Sequence, residues 1–250
     1  VTAAFAGRRI LVTGGAKGIG KAAALRFLAG GAKVACLDMD EVALADVSAA
    51  HGVVALKVDV TDTQVTDATV AEAAAQMGGL DGVVNSAGVD LESSLEAMTD
   101  AAWERLIAVN LTGPMKVCRA AAPFLKQAGG GTIVNVSSGA GLQPLKFRSA
   151  YSASKAGLQM FSKALALELA EAGIRVNVVC PGAVETPLFR SSIAEGEEGR
   201  AQLDAVRARY ALARIADPDE IAAGIAWLTS ADASYVTGVA LAVDGGRTFH

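Results

Sequence analysis

The chain is 250 residues long, 52 % hydrophobic but only 5 % aromatic, so it can bury a large core built mainly of Ala, Val and Leu. A net charge of −4 speaks against a nucleic-acid or anionic-membrane surface. No apolar run reaches the ~18 residues of a membrane span, and the opening VTAAFAGRRILV lacks the continuous apolar stretch of a secretory signal.

Short apolar runs predict strands at 9–13 (RILVT), 33–38, 53–59, 82–88, 131–138, 175–182 and 239–246. They are Val-rich and nearly unbroken, as strands buried on both faces should be. Helical patterns at 18–30, 41–50, 62–77, 100–127, 150–172 and 218–230 fill most of the gaps. Alternation of this kind predicts an α/β fold, a parallel sheet of about seven strands with helices on both faces. No Pro/Ser-rich linker, low-complexity tract or internal repeat interrupts it, so one domain is expected over residues 1–250.

The first strand runs into TGGAKGIG, residues 13–20. Gly14, Gly18 and Gly20 permit a tight turn, close backbone approach to a pyrophosphate and close packing of the next helix, whose free amides attract phosphate. Asp38 ends the second strand, where a carboxylate can accept hydrogen bonds from an adenosine ribose and repel a 2′-phosphate. Its other possible use is as an N-cap for the helix that follows.

YSASK, residues 151–155, sets a phenol and an ammonium one helical turn apart. A cation at that range favours the phenolate and is expected to lower the pKa of Tyr151, readying it for proton transfer. Histidine is poorly placed for such work. His51 lies in a connection and His250 at the end, neither near a metal ligand or nucleophilic serine in sequence, which leaves no zinc site or Ser-His-Asp triad. Cys36, Cys118 and Cys180 have no ligand spacing and read as buried, reduced thiols of a cytoplasmic protein.

These landmarks, TGGAKGIG, Asp38, DV (59–60), NSAG (85–88), Asn110, SS (137–138), YSASK, PG with a following Thr (181–186) and VDGG (243–246), occur in one order along essentially the whole chain. Together they resemble the compact, single-domain branch of the short-chain dehydrogenase/reductase family. The resemblance implies a Rossmann-type doubly wound sheet, with a cofactor half at about 1–130 and a catalytic and substrate half at about 131–250. It implies that Tyr151 is the general acid/base, that Lys155 holds the nicotinamide ribose and lowers the Tyr151 pKa, and that Ser138 orients the substrate carbonyl. Asn110 matches the position that holds a water linking Lys155 to solvent. Ser137, its neighbour's opposite on an extended strand, should face away.

For the cofactor the resemblance implies Gly14, Lys17, Gly18, Ile19 and Gly20 at the pyrophosphate, Asp38 at the ribose, and Asp59 and Val60 at the adenine. Asn85, Ala87 and Gly88 form the ribose-side loop, with Ser86 where the family usually has a second Asn. Pro181, Gly182, Val184 and Thr186 follow on the nicotinamide side. Asp38 favours NAD, whereas Lys17 keeps open an NADPH-dependent 3-oxoacyl-carrier-protein reductase. A polyol or sugar dehydrogenase and a non-catalytic NAD sensor are further alternatives.

The substrate is expected to be a small, uncharged secondary alcohol or its ketone, alicyclic or aromatic. GLQPLKF (141–147) and TPLF (186–189) offer Leu142, Gln143, Leu145, Phe147, Leu188 and Phe189 as pocket residues beside Ser138. Lys146 and Arg148 leave room for a carboxylate, although alternation with Phe147 turns them toward solvent. A lid is expected at about 187–210, with EGEEGR (195–200) at its tip. By resemblance, 100–127 and 150–172 form a dimer face and the VDGG region a second, giving a homotetramer.

Overall fold

All seven Val-rich runs become strands in the computed structural model, which describes residues 4–248; His250 lies outside them. The strands are β1 (Arg9–Thr13), β2 (Lys33–Asp38), β3 (Val54–Lys57), β4 (Gly82–Asn85), β5 (Gly131–Val136), β6 (Ile174–Pro181) and β7 (Ala240–Val243). Every pairing is parallel, in the order β3-β2-β1-β4-β5-β6-β7. Several predicted runs extend past their strands because the ladder stops where the chain turns up to form the cleft.

The helices are α1 (Gly18–Ala29), α2 (Glu41–His51), α3 (Thr63–Met77), α4 (Asp100–Ile107), α5 (Gly113–Gln127), α6 (Ser149–Leu169), α7 (Pro187–Arg190), α8 (Gly196–Arg207) and α9 (Pro218–Thr229). Alternate side chains of one strand feed two apolar layers. Ile10 and Val12 of β1 pack with Phe27, Ile221 and Ile225 on the side of α1 and α9. Leu11 faces the other layer with Met77, Leu125 and Ile133, from α3, α5 and β5. Burial on both faces removes the polar alternation an exposed sheet would show.

The predicted helix over 100–127 is one helical run interrupted by a π turn at Ala108–Thr112. Pro114 has no N–H for the carbonyl of Asn110 four residues back, and the helix widens at that point. The segment EGEEGR, expected at the tip of a lid, runs into α8. Glu195 precedes α8, and Glu197 and Glu198 occupy its first turn, where acidic side chains complement the helix dipole.

The strand order reverses direction between β1 and β4, so the crevice outside their carboxyl ends is the topological switch point, where open α/β sheets bind ligands. Among the described residues no helix is long and apolar enough to cross a membrane. Cys36, Cys118 and Cys180 are buried and unpaired, as expected, and burial pushes each thiol up to about 12.

Candidate active site

A cleft of about 550 Å³ opens at this switch point. Its floor is the turn between β1 and α1. Gly14 has φ +66°, and a Cβ there would stand 2.8 Å from the Ala87 amide nitrogen, so only glycine lets the two loops meet. A Cβ on Gly20 would lie 2.1 Å from the Gly14 carbonyl oxygen. The loops are joined by the Thr13 hydroxyl, which accepts from the Ser86 and Ala87 amides at 3.2 and 3.3 Å. No side chain caps α1, leaving its first amides for an anion in the cleft. The glycine cradle and the uncapped helix fit a nicotinamide dinucleotide.

Asp38 stands at the end of β2 with its carboxylate accepting from the amides of Ala16 (3.2 Å) and Asp40 (3.1 Å). The N-cap of α2 is Asp40, which accepts from Ala43 at 3.0 Å, so capping does not consume Asp38. Lys17 is ion-paired to Asp40 at 2.5 Å, and that bond raises the pKa of its ammonium. Asp59 accepts from the Thr61 amide (2.9 Å) and hydroxyl (2.7 Å). Burial works to raise the Asp59 carboxyl, but these bonds and the charges of Arg105 and Lys116 prevail and hold it below its usual value.

Lys17, Ile19, Asp38, Val60, Ala87 and Gly88 all line the cleft, as do Gly14, Gly18 and Asp59. Pro181, Gly182, Val184 and Thr186 line it on the far side of Gly18, whose Cβ would meet Thr186 Cγ2 at 3.1 Å. Thr186 also caps α7, accepting from the Phe189 amide at 3.2 Å. Two expected contacts fall elsewhere. Gly20 is buried beneath the turn, and Asn85 is 2 % exposed with its amide donating to Asn135 Oδ1 at 2.8 Å and Cys118 Sγ at 3.3 Å. Asn85 faces the interior because the last residue of a central strand alternates with its neighbours.

Ser138, Tyr151 and Lys155 line the cleft together. Ser138 leaves β5 and accepts from the Ala140 amide at 3.1 Å. Ser137 also borders the cleft, but its hydroxyl is engaged, donating to the Lys155 carbonyl (2.9 Å) and accepting from Gln159 (3.1 Å). Tyr151 and Lys155 lie in the first turns of α6, with the ammonium 5.7 Å from the phenol ring centroid and bonded to the Val136 carbonyl at 3.0 Å. Burial lowers the Lys155 ammonium to about 8.

The expected depression of the Tyr151 pKa is not found in the protein alone. Burial raises it, opposed by the Ser138 hydroxyl and by the charge of Arg148. Arg148 was not expected here. It is the residue before α6, three positions ahead of Tyr151, and alternation with Phe147 points it to solvent. Instead it turns inward, forming ion pairs with Asp90 and Glu92.

Asn110 is fully buried at the π turn and does not itself line the cleft. Its amide donates to the Val89 carbonyl (2.8 Å) and Ser154 hydroxyl (3.3 Å), and its oxygen accepts from the Val89 amide (2.9 Å). Gly88 separates it from Lys155: a Cβ there would stand 3.3 Å from Asn110 Oδ1 and 3.5 Å from Lys155 Nζ.

The expected substrate residues divide. Leu188 and Phe189 line the cleft, whereas Gln143, Leu145 and Phe147 line a second hollow. Leu142 and Phe147 are exposed at 44 and 48 % and wall no apolar pocket. Their expected placement rested on nearness to Ser138 in sequence; the chain turns sharply at Phe147 (φ +60°), which breaks the alternation that turned Lys146 and Arg148 toward solvent.

Comparison with known proteins agrees with this geometry. The family model described as Enoyl-(Acyl carrier protein) reductase matches residues 14–248. The chain is 40 % identical to cis-4-hydroxycyclohexanecarboxylate dehydrogenase of Sinomonas cyclohexanicum, over 98 % of either chain. It is 39 % identical to 3beta-hydroxysteroid dehydrogenase 1 of Eggerthella lenta, over 98 % of this chain and 95 % of that one. Among solved structures, the ligand-free aldohexose dehydrogenase of Thermoplasma acidophilum superposes with a TM-score of 0.92 at 30 % identity, covering 99 % of this chain and 96 % of the other. The chain therefore belongs to the short-chain dehydrogenase/reductase family, and it is an oxidoreductase that interconverts secondary alcohols and ketones with a nicotinamide cofactor.

Proposed function

We propose that the enzyme oxidises alicyclic secondary alcohols, or reduces the matching ketones, with NAD, and that Tyr151 moves the proton. The observation that carries this reading is the convergence of Ser138, Tyr151 and Lys155 on the cleft that also holds the glycine turn and Asp38. When bound, the nicotinamide supplies hydride acceptance and donation at the carbinol carbon. Tyr151 takes the alcohol proton in oxidation and returns it in reduction, while Ser138 donates a hydrogen bond to the same oxygen. Lys155 and Arg148 place positive charge near the phenolate that oxidation requires. Asn110 holds the Val89 backbone beside the site, and its π turn would seat the water that links Lys155 to solvent.

Asp38 supports NAD over NADP because a 2′-phosphate would meet a carboxylate held by two backbone amides. Lys17, the residue that favours NADPH and the carrier-protein reductase, is already paired with Asp40. Leu188 and Phe189 give the cleft apolar walls suited to a ring. The exposed Met160 and Leu167 of α6 and Trp103 of α4 support a homotetramer, and three reduced thiols fit a cytoplasmic location. The test is a kcat/KM panel with both cofactors over cyclic, aryl, polyol and thioester-linked alcohols. A cyclic alcohol with NAD is expected to lead; equal use of NADP, or a lead for polyols or acyl thioesters, would overturn the corresponding half of the proposal.

A further inference from the structure

Between the segment 143–148 and α8 lies the second hollow, of about 690 Å³. Its wall carries Lys146, Arg148, Arg209 and Arg247 against a single carboxylate, Glu92. Arg247 is 7 % exposed, and its guanidinium donates to the carbonyls of Gln143 (2.9 Å) and Pro144 (3.5 Å). Among the described residues neither Arg247 nor Arg209 is ion-paired. Arg209 is exposed, whereas Arg247 is buried, and burying a guanidinium without a countercharge is costly.

The hollow adjoins the reacting groups. Arg148, on its wall, is ion-paired to Asp90, which lines the catalytic cleft. Ser191 belongs to the cleft and Ser192 to the hollow. Arg148 is the residue before α6, three positions ahead of Tyr151, and near enough for its charge to act on the phenol. A ring with its carbinol carbon at Tyr151 would therefore present the opposite substituent to the hollow. The cations also crowd one another: after burial, the charge of Arg209 is what holds the Arg148 guanidinium below its usual range.

We propose that this hollow receives a carboxylate carried by the substrate on the side of the ring remote from the reacting carbon, so that the substrate class is a cyclic hydroxy acid. The inference rests on the secondary-alcohol reading above. Arg209 and Arg247 meet the carboxylate, whose planar pair of oxygens matches the guanidinium fork, and Arg148 is shared between it and Asp90.

The experiment compares cis-4-hydroxycyclohexanecarboxylate with its neutral methyl ester, using NAD and the full-length enzyme. Wild type is expected to favour the acid at least ~10-fold in kcat/KM, a usual scale for a charge-assisted bond. Arg209→Gln should cut that ratio ~10-fold or more, through KM rather than kcat, and Arg209→Lys should restore part of it. Calorimetry with unreactive cyclohexanecarboxylate on the NADH-loaded enzyme gives a second readout: binding in competition with the alcohol, weakened in Arg209→Gln. The inference is overturned if the ester is used as well as the acid, if Arg209→Gln lowers both alike, or if cyclohexanecarboxylate binds without competing. Turnover of cyclohexanol and ester without preference for the acid rejects this inference alone. Failure of all three alcohols rejects the cyclic-alcohol reading, and this inference with it.

Discussion

The two sides of the cleft are held by different means. At the carboxyl ends of β1, β2 and β4 the wall is largely main chain. Gly14 touches Ala87, the Thr13 hydroxyl binds two amides, and Asp38 is fixed by two more. Across the cleft at α7, and in the hollow beside it at 143–148 and α8, the walls are made of side chains, with ion pairs such as Arg148 with Asp90 and Arg190 with Glu185 among them. A wall of backbone recognises what every cofactor of one kind shares, a pyrophosphate and two riboses. A wall of side chains can be changed residue by residue without disturbing the sheet, which is how one scaffold serves many alcohols.

The seam between the two sides is Tyr151, and changing it should have the largest effect. Tyr151→Phe is expected to lower kcat by at least ~100-fold while cofactor affinity, followed by NADH fluorescence, stays near wild type. Burial has raised the phenol, so wild-type kcat/KM for alcohol oxidation should climb with pH as the phenolate forms, and that for ketone reduction should fall over the same range. The residual activity of Tyr151→Phe should lose this slope. Near-normal turnover by the variant would remove Tyr151 from the chemistry and leave the cleft a binding site only.

A smaller effect is expected on the main-chain side. Gly14→Ala forces a side chain into left-handed backbone and sets its Cβ 2.8 Å from the Ala87 nitrogen. NAD affinity should weaken ~10-fold or more, with a loss of about 5 °C in Tm from a strain of ~1–2 kcal/mol. Unchanged affinity would mean that the two loops move apart at little cost, and the contrast between a rigid and an adjustable wall would fail.

How much of this was legible in the sequence follows the same division. The strands, the glycine turn, Asp38 and the Tyr151–Lys155 pair were all readable, because each depends on local spacing: alternation, a turn's need for glycine, or one helical turn. Asn85 differs from Ser86, Ala87 and Gly88, which line the cleft, because the sheet register turns its side chain inward to Asn135. Gln143, Leu145 and Phe147 were misplaced for a different reason. Nothing in GLQPLKF announces that the run lines another hollow, or that Phe147 takes a positive φ. Arg148 shows the limit most clearly, since its partners Asp90 and Glu92 lie more than fifty positions away in the chain.

The smallest expected effect tests the adjustable side through that dihedral. Phe147 holds φ +60° while 48 % exposed, and its carbonyl accepts from the Ser93 amide at 2.8 Å, which ties the bend to the loop after β4. Left-handed backbone costs a residue with a Cβ ~1–2 kcal/mol, whereas glycine adopts it freely but gives up ~0.5–1 kcal/mol in chain entropy. Phe147→Gly also forfeits the Lys146 ammonium, 4.8 Å from the ring centroid, a contact that at an exposed site contributes ~0.5–1 kcal/mol. Gain and loss nearly cancel, so Phe147→Gly alone is uninformative. Phe147→Ala removes the same ring and keeps the strain, which makes the pair the measurement. The glycine variant should be the more stable by ~0.5–1 kcal/mol, or about 2 °C in Tm, in parallel thermal melts. Equal melting of the two would show that the segment relaxes out of its bend when the ring is gone. The hollow would then be shaped by Phe147 itself, and not by a backbone that holds it in place.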